Sequence, residues 1–441
     1  MPSNMKLSKN IGITLFRHIG TTGILLLYSI LLARSMGKAD YGTFTIVILF
    51  PQLLAKLSNL GFGSALVYFL ARNEISFKKA QKIVFELWII LGVSGLLIGF
   101  AIFMIWGESL FPNIPRFLLQ YSLATFPLLL IQELLPYLLL GINDLKRFNL
   151  AFISLPIINL VVVGLFFFLL DVDPLIAIIA FSVGHSFSIL INIGLIHYAP
   201  IPKEYEAWEV GVGWKQILAY AWKIHLSNIV GFLNYRVDMF IVNFLASPAA
   251  AGMYFVAVQI GEKLWMLSHA VNTAVFPHLI GSYKKSSTQN NTTVMIGSIT
   301  FTLTAIASLI LAFIAPYLIA ALFGLEYREA AKALILLLPG IVASSVGRVL
   351  SNDFAARGKP EINFYVGILT VGINISANWV WIPIYGIGGA ALATSLSYCI
   401  GVTIKLFVIE RYSGIKFYKY LFPDYRVFNL IGKIFRDLRA H

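Results

Sequence analysis

Long apolar stretches separated by short polar turns run along nearly the whole chain, and their lengths set the first expectation. Crossing roughly 30 Å of hydrocarbon takes about 20 helical residues at 1.5 Å each. Twelve stretches reach that length: residues 11–34, 42–70, 82–106, 117–141, 148–170, 174–198, 216–246, 252–280, 293–322, 331–355, 362–383 and 386–409. The pattern predicts an all-α polytopic membrane protein of about 12 transmembrane helices. Several stretches exceed a simple span, and Pro51, Pro127, Pro136, Pro277 and Pro339 mark expected kinks. The first stretch is longer than a signal-peptide core and no small-residue cleavage site closes it, so it is expected to remain as helix 1. Past the last stretch, Val427, Phe428, Leu430, Ile431, Ile434, Phe435 and Leu438 fall at helical spacing opposite Lys433, Arg436 and Asp437. That spacing predicts a basic amphipathic helix lying on the inner leaflet.

The pattern also repeats. LLARSMGKADYGTF (residues 31–44) leads from helix 1 into helix 2, and FLASPAAAGMYFVA (244–257) makes the same passage from helix 7 into helix 8; Gly42 and Gly252 stand 210 residues apart. The segments around Gly141, Phe148 and Asn159 resemble those around Gly358, Phe364 and Asn374, in the same order and at offsets near 216. Six helices per half return the chain to the side where it began, so the halves repeat in parallel, related by an axis along the membrane normal. The expected organisation is an N-lobe of helices 1–6 at 1–198, a cytoplasmic linker at 199–215, a C-lobe of helices 7–12 at 216–409 and a basic tail at 410–441. The two pseudo-symmetric six-helix lobes are expected to face a central cavity.

Composition strengthens this reading. Of 441 residues 59% are hydrophobic and 12% charged, with a mean hydropathy of +0.82, which no soluble fold of this length could bury; average soluble domains are roughly 25% charged. The net charge of +13 reports topology before any nucleic-acid partner, and none is expected. With the N-terminus cytoplasmic, 21 Lys and Arg fall on the cytoplasmic side and five (Arg34, Lys38, Arg116, Arg328, Lys332) on the other. Both termini are therefore expected in the cytoplasm. The single cysteine, Cys399, rules out an intramolecular disulfide or a thiolate cluster.

Charges inside the spans change the picture most. Arg17, Lys56, Lys223, Arg236, Lys263 and Arg348 lie within them; facing lipid, six cations would cost on the order of 15–20 kcal/mol, so they should face a protein interior or a hydrated cavity. At 100° per residue, Thr14, Arg17, Thr21 and Tyr28 share one stripe of helix 1, and Lys223, Ser227, Asn234 and Asp238 share one of helix 7. Helix 10 groups Ser344, Arg348, Ser351 and Asn352, helix 2 groups Gln52, Lys56 and Asn59, and helix 11 groups Asn363, Asn374 and Asn378. Cations outnumber the intramembrane carboxylates Glu133, Asp238, Glu262 and Asp353, which suits an anionic cargo; pairing of Glu262 with Lys263 and of Asp353 with Arg348 is the structural alternative. No HExxH, GxSxG or Walker loop is present and the seven histidines are scattered, so neither an enzyme nor a metal or cofactor is expected.

LLARSMGKADYGTF, NLGFGSALVYFLAR (59–72), NYRVDMFIVNF (234–244), ASPAAAGMYFVA, LFGLEYREAAKAL (322–334) and YGIGGAALATSLSY (385–398) together resemble the polysaccharide transporter family. These are the O-antigen type oligosaccharide flippases of the multidrug/oligosaccharidyl-lipid/polysaccharide exporter superfamily. The resemblance implies a V-shaped two-lobe bundle in the bacterial plasma membrane that moves an undecaprenyl-pyrophosphate-linked oligosaccharide between leaflets by alternating access, with a polymerase and other envelope assembly proteins as candidate partners. The polar stripes fit such a cargo. Arg17 and Lys223 are expected to clamp the headgroup, supported by Lys56, Lys263 and Arg348, while Tyr28, Tyr235, Trp265, Asn234, Asn352, Asn374 and Asn378 are candidates to hold the sugars. Asp238, Glu262 and Glu133 are candidates to carry a coupling ion. Two relatives in the superfamily are the alternatives. A multidrug cation antiporter would bury a carboxylate in helix 1, where this chain has Arg17, and the lipid II flippases usually add two helices beyond twelve. A non-transporting envelope scaffold would leave the basic stripes without a role.

Overall fold

The computed structural model describes residues 2–202, 205, 212–268 and 286–422, the side chains of 2–19, 223, 224, 227 and 286–288 excepted. The amphipathic tail at 427–438 and the later part of the stretch 252–280, with Pro277, lie outside the described residues. The described chain is helical, without a strand. Its helices are α1 (Pro2–Ser58), α2 (Phe62–Ala71), α3 (Phe77–Leu110), α4 (Arg116–Leu123), α5 (Phe126–Gly141), α6 (Leu145–Leu169), α7 (Pro174–His197), α8 (Trp214–Leu245), α9 (Pro248–Glu262), α10 (Ser286–Phe323), α11 (Ala330–Ala356), α12 (Glu361–Tyr385) and α13 (Ile387–Ser413). Short 3₁₀ turns at Leu325–Tyr327 and Phe417–Tyr420 complete the set.

Local chemistry sets the ends of these helices. Ser76, Asp144 and Asp173 each accept a hydrogen bond from a backbone N–H of the first turn of α3, α6 and α7, and Pro174 opens α7 where no donor is lost. Pro127 stands at the very start of α5, so it begins a helix rather than kinking one. The expected stretch 117–141 is accordingly two helices, α4 and α5. Inside α1, Gly37 adopts φ 74°, ψ 171°, a conformation essentially reserved for glycine. This one residue parts the first two predicted helices.

Nine helical segments among the described residues are long and apolar enough to cross a membrane. Gly20–Ser58 counts once there although it holds two predicted stretches, α8 carries Lys215, Lys223, Arg236 and Asp238, and α9 is described for 15 residues.

The chain divides into two compact units, Met1–Met253 and Tyr254–His441. In the first, α1 packs on α5, α6, α7 and α8, α2 packs on α5 and α8, and α3 packs on α4 and α5. In the second, α11 packs between α10 and α13, and α12 lies against α13. A core of Val346, Leu350, Phe354, Val402, Leu406, Ile409 and Tyr420 is closed where Tyr420 donates to Ser413 Oγ at 2.8 Å. The apolar window of α3 is 22% buried and that of α11 67%. Thus α3 is a peripheral, lipid-facing helix, bearing Phe85, Ile90, Val93, Leu97, Ile98 and Met104 on its exposed face, and α11 is a central one.

Candidate functional site

In the first unit the helices on either side of the repeat meet. A Cβ on Gly42 would collide with the Pro248 carbonyl, and one on Gly252 would stand 2.7 Å from the Lys38 carbonyl and 2.9 Å from Gly42 Cα. The offset of 210 that pairs Gly42 with Gly252 also pairs Lys38 with Pro248. Each glycine thus receives the carbonyl four residues before the other. Such reciprocity is the signature of a local two-fold axis, and it allows two backbones to touch because neither carries a side chain.

Nineteen residues further along the second predicted helix, about 28 Å at helical rise and close to the hydrocarbon thickness, the chain meets α8 instead. Gly61 lies against the backbone of Ala221 and His225 in α8, Phe62 sits edge-on to Trp214, and Tyr68 stacks on Tyr220 with ring centroids 4.3 Å apart. Arg72 covers the outer face of Tyr68 at 5.2 Å and is held by Glu74 at 2.5 Å. That carboxylate raises the Arg72 pKa. The second predicted helix is therefore met by α9 at its Gly42 end and by α8 at its Gly61 end.

Between these ends lies part of the expected stripe. The Arg17 and Lys223 side chains lie outside the described ones. Thr21 Oγ1 and Tyr28 OH are buried with no hydrogen-bond partner among the described residues, while Ser29 bonds Tyr41 at 2.6 Å. Asp238 is buried and its Oδ1 accepts from the Met239 N–H at 2.9 Å; Arg236 on the same helix donates to the Tyr235 carbonyl. Asn234 and Asp238 make further polar interactions. Lys56 is claimed by Glu133 at 2.6 Å, and Asn59 donates to the other carboxylate oxygen at 2.7 Å. An expected headgroup cation and an expected ion-coupling acid thus hold each other, with Tyr137 beside both.

The second unit carries its own basic cluster. Arg348 lies 3.9 Å over the ring of Trp265, and Trp265 Nε1 donates to Ser344 Oγ at 2.8 Å. Beside Arg348 stands Lys405, donating to Ser351 Oγ at 2.7 Å, while Asn363 holds the Ser351 carbonyl at 3.0 Å. Lys405 falls inside the last predicted span but on none of the polar stripes, so a count of charges in every span finds it where the stripes do not. Asn352 is exposed. Glu262 and Lys263, at the end of α9, both engage in polar interactions.

Two expectations change in this unit. Asn374 and Asn378 are fully buried: Asn378 donates to the Asn374 carbonyl and Oδ1, and Asn374 donates to Thr394 Oγ1, which also bonds Tyr254. That is packing of α12 on α13. Asp353 takes Arg357 at 2.5 Å, one turn along α11. Gln289, Thr293 and Asn290 complete that network. Among the described residues no group of three or more His, Cys, Asp or Glu side chains is placed to hold a metal.

Helices of membrane-crossing length with exposed apolar faces define the class of polytopic membrane protein. The family profile of lipid II flippase MurJ matches residues 32–425, and the chain belongs to that family. Helix number alone ranks the lipid II flippases behind the oligosaccharide flippases, yet the match runs from the end of the first predicted stretch to beyond the last. The probable low-salt glycan biosynthesis flippase Agl15 of Haloferax volcanii is 25% identical over 195 residues, 44% of this chain and 41% of that protein. The alignment with this curated relative thus spans less than half of its length. A solved lipid II flippase MurJ in an inward closed conformation superposes with a TM-score of 0.71 at 20% identity, covering 90% of this chain and 87% of that one. An inward-facing multidrug resistance MATE family transporter gives 0.68 at 15%, covering 89% and 94%. At these identities the two structures speak to fold alone.

Proposed function

We propose that this protein is a flippase that carries a polyprenyl-pyrophosphate-linked saccharide from the inner to the outer leaflet of the bacterial plasma membrane, serving synthesis of a surface polysaccharide. A pyrophosphate and its sugars do not cross hydrocarbon unaided; they need hydrated cations, amides and aromatics, while the prenyl chain stays in lipid. Family membership and the similarity to the glycan biosynthesis flippase Agl15 support the flippase reading, and an oligosaccharide repeat unit of the O-antigen or capsule type is the proposed cargo.

The observation that carries the mechanism is the reciprocal Gly42–Gly252 contact. Two halves that repeat in sequence touch through equivalent backbone, as expected of two lobes (1–198 and 216–409) that rock about a common axis. In this reading both termini and the 199–215 linker are cytoplasmic, the Gly61 end faces the cytoplasm and the Gly42 end faces out. Opening the Gly61 end admits the headgroup; opening the Gly42 end releases it. Arg17 and Lys223 clamp the pyrophosphate, with Lys263, Arg348 and Lys405 as further charge and Lys56 released from Glu133 when the lobes part. Tyr28, Asn234, Asn352 and Trp265 line the sugar path, and Asp238, Glu262 or Glu133 takes up a coupling ion. Polymerase and other envelope proteins receive the product.

The test is a proteoliposome assay with three cargoes: lipid-linked oligosaccharide, lipid II and a cationic dye. The reading expects translocation of a lipid-linked saccharide and none of the dye, with loss on Arg17→Gln/Lys223→Gln at unchanged membrane insertion. Dye export without flipping would sink it, and lipid II flipping alone would replace the oligosaccharide by lipid II.

A further inference from the structure

Beyond the transport path, the first unit holds a basic cavity. It measures about 650 Å³ and is lined by Ser76, Lys78, Lys79, Lys82, Ile83 and Glu86 at the start of α3 and by Val212, Gly213, Trp214 and Ile217 at the start of α8. Three lysines share it with one carboxylate, Glu86, whose contact with Lys82 is long at 3.8 Å. Among the described lining residues the charge is therefore +2. Lys78 and Lys82 are exposed and Lys79 half-buried. None has a role in the flippase mechanism.

Depth along α3 says where this charge sits. Phe85, Ile89, Ile90 and Val93 are the first of the exposed apolar row that faces lipid. Lys82 stands three residues before Phe85 and Lys78 seven, about 4.5 and 10.5 Å at helical rise. The polar headgroup layer on each side of the hydrocarbon is about 5–8 Å deep, so the lysine ammonium groups, on flexible stems, reach the level of lipid phosphates. Trp214, pinned edge-on to Phe62 with centroids 6.1 Å apart, forms the other wall, and tryptophan is the residue that favours this interface. Ser76 and Gln216 satisfy the local backbone N–H groups of their helices, so the lysine side chains carry the recognition.

We propose that this cavity binds the phosphate headgroup of an anionic phospholipid, which bridges the start of α3 to the start of α8. The bound lipid would brace the entrance of α8 beside the Tyr68–Tyr220 stack without touching the cargo. Lipid binding there is independent of which saccharide the protein carries.

Native mass spectrometry of the purified full chain, titrated with phosphatidylglycerol against phosphatidylcholine, tests the assignment. A juxtamembrane lysine is worth about fivefold in affinity for anionic lipid. The triple variant Lys78→Gln/Lys79→Gln/Lys82→Gln should therefore lose the tightest phosphatidylglycerol adduct by on the order of 100-fold. The Lys→Arg triple should keep it, and Lys416→Gln/Lys419→Gln, outside the cavity, should leave it unchanged. Equal retention by wild type and the Gln triple overturns the site. Displacement of the lipid by millimolar inorganic phosphate makes the ligand free phosphate and overturns the lipid assignment. If the Gln triple does not give a monodisperse protein, Lys78→Gln/Lys82→Gln and Trp214→Ala decide the question on the same terms: weaker adducts uphold the site, and unchanged ones reject it.

Discussion

Four donor atoms converge on Asp353, whose side chain is 3% exposed: Arg357 Nε at 2.5 Å, Thr293 Oγ1 at 2.8 Å, Gln289 Nε2 at 3.0 Å and Arg357 Nη2 at 3.3 Å. Removing one partner of a buried pair leaves the other charge uncompensated and costs about 3–5 kcal/mol. Asp353→Ala should therefore lower the thermal midpoint of the detergent-solubilised protein by several degrees, while Asp353→Asn, which keeps an acceptor, should lower it less; equal midpoints for wild type and Asp353→Ala would refute the account. The Lys56–Glu133 pair is more exposed, at 42% and 24%, and its solvated geometry is worth roughly 0.2–1 kcal/mol. Lys56→Gln should then leave stability nearly unchanged while reducing flipping, because in the proposed cycle the charge serves cargo. A stability loss matching that of Asp353→Ala would make Lys56 structural. The sequence marks both acids as intramembrane charges, but it offers Asp353 Arg348 in place of Arg357 and gives Glu133 no partner. Asp353 finds its partner one turn away on the same helix, and Glu133 finds Lys56 from 77 residues earlier in the chain, a distance that helical periodicity does not register.

Helices show the same division between what periodicity reveals and what tertiary packing adds. Pro339 announces an interrupted hydrogen-bond ladder in α11. The repair comes from α13: Gly340 N–H donates to Ser395 Oγ at 3.2 Å, and Ser395 Oγ donates to the Leu336 carbonyl at 2.6 Å. One hydroxyl stands between two backbone groups that an unbroken helix would join directly. Ser395→Ala should leave both unsatisfied and cost about 1–3 kcal/mol, read as a lowered thermal midpoint, whereas Ser397→Ala, whose hydroxyl bonds the Thr394 carbonyl of its own helix, should cost less. The reverse order would remove the bridge from the account. Helix existence and the 210-residue repeat are legible because apolar length and small residues are local signals. The hydroxyl that mends α11 and the split of one predicted span into α4 and α5 depend on neighbours. Likewise the asparagine stripe of helix 11 reads as cargo-facing by composition, yet Asn374 and Asn378 are spent on Thr394 and on each other.

For the molecule as a machine, the contacts of α1 with α9 at the Gly42 end and of α2 with α8 at the Gly61 end have a direct consequence. If transport requires each end to open in turn, tying either end shut must stop it. Cys399 is the lone native cysteine, so a Cys399→Ser background isolates introduced pairs. Tyr68→Cys/Tyr220→Cys replaces rings that stack at 4.3 Å at the Gly61 end, and Phe111→Cys/Phe240→Cys replaces rings 6.4 Å apart toward the other end, one just past α3 and one on α8. A short reducible thiol cross-linker should abolish flipping in proteoliposomes for either pair, and reductant should restore it. Gly42→Ala offers the complementary perturbation: its methyl group meets the Pro248 carbonyl, which belongs to backbone and does not yield as a side chain would. The reciprocal contact should then fail to close, and thiol labelling of a cysteine at Thr43, a residue 9% exposed here, should rise severalfold. Unimpaired flipping by a fully cross-linked Tyr68→Cys/Tyr220→Cys protein would show that the Gly61 end does not gate the path, and the cargo's route would then have to be sought away from α8.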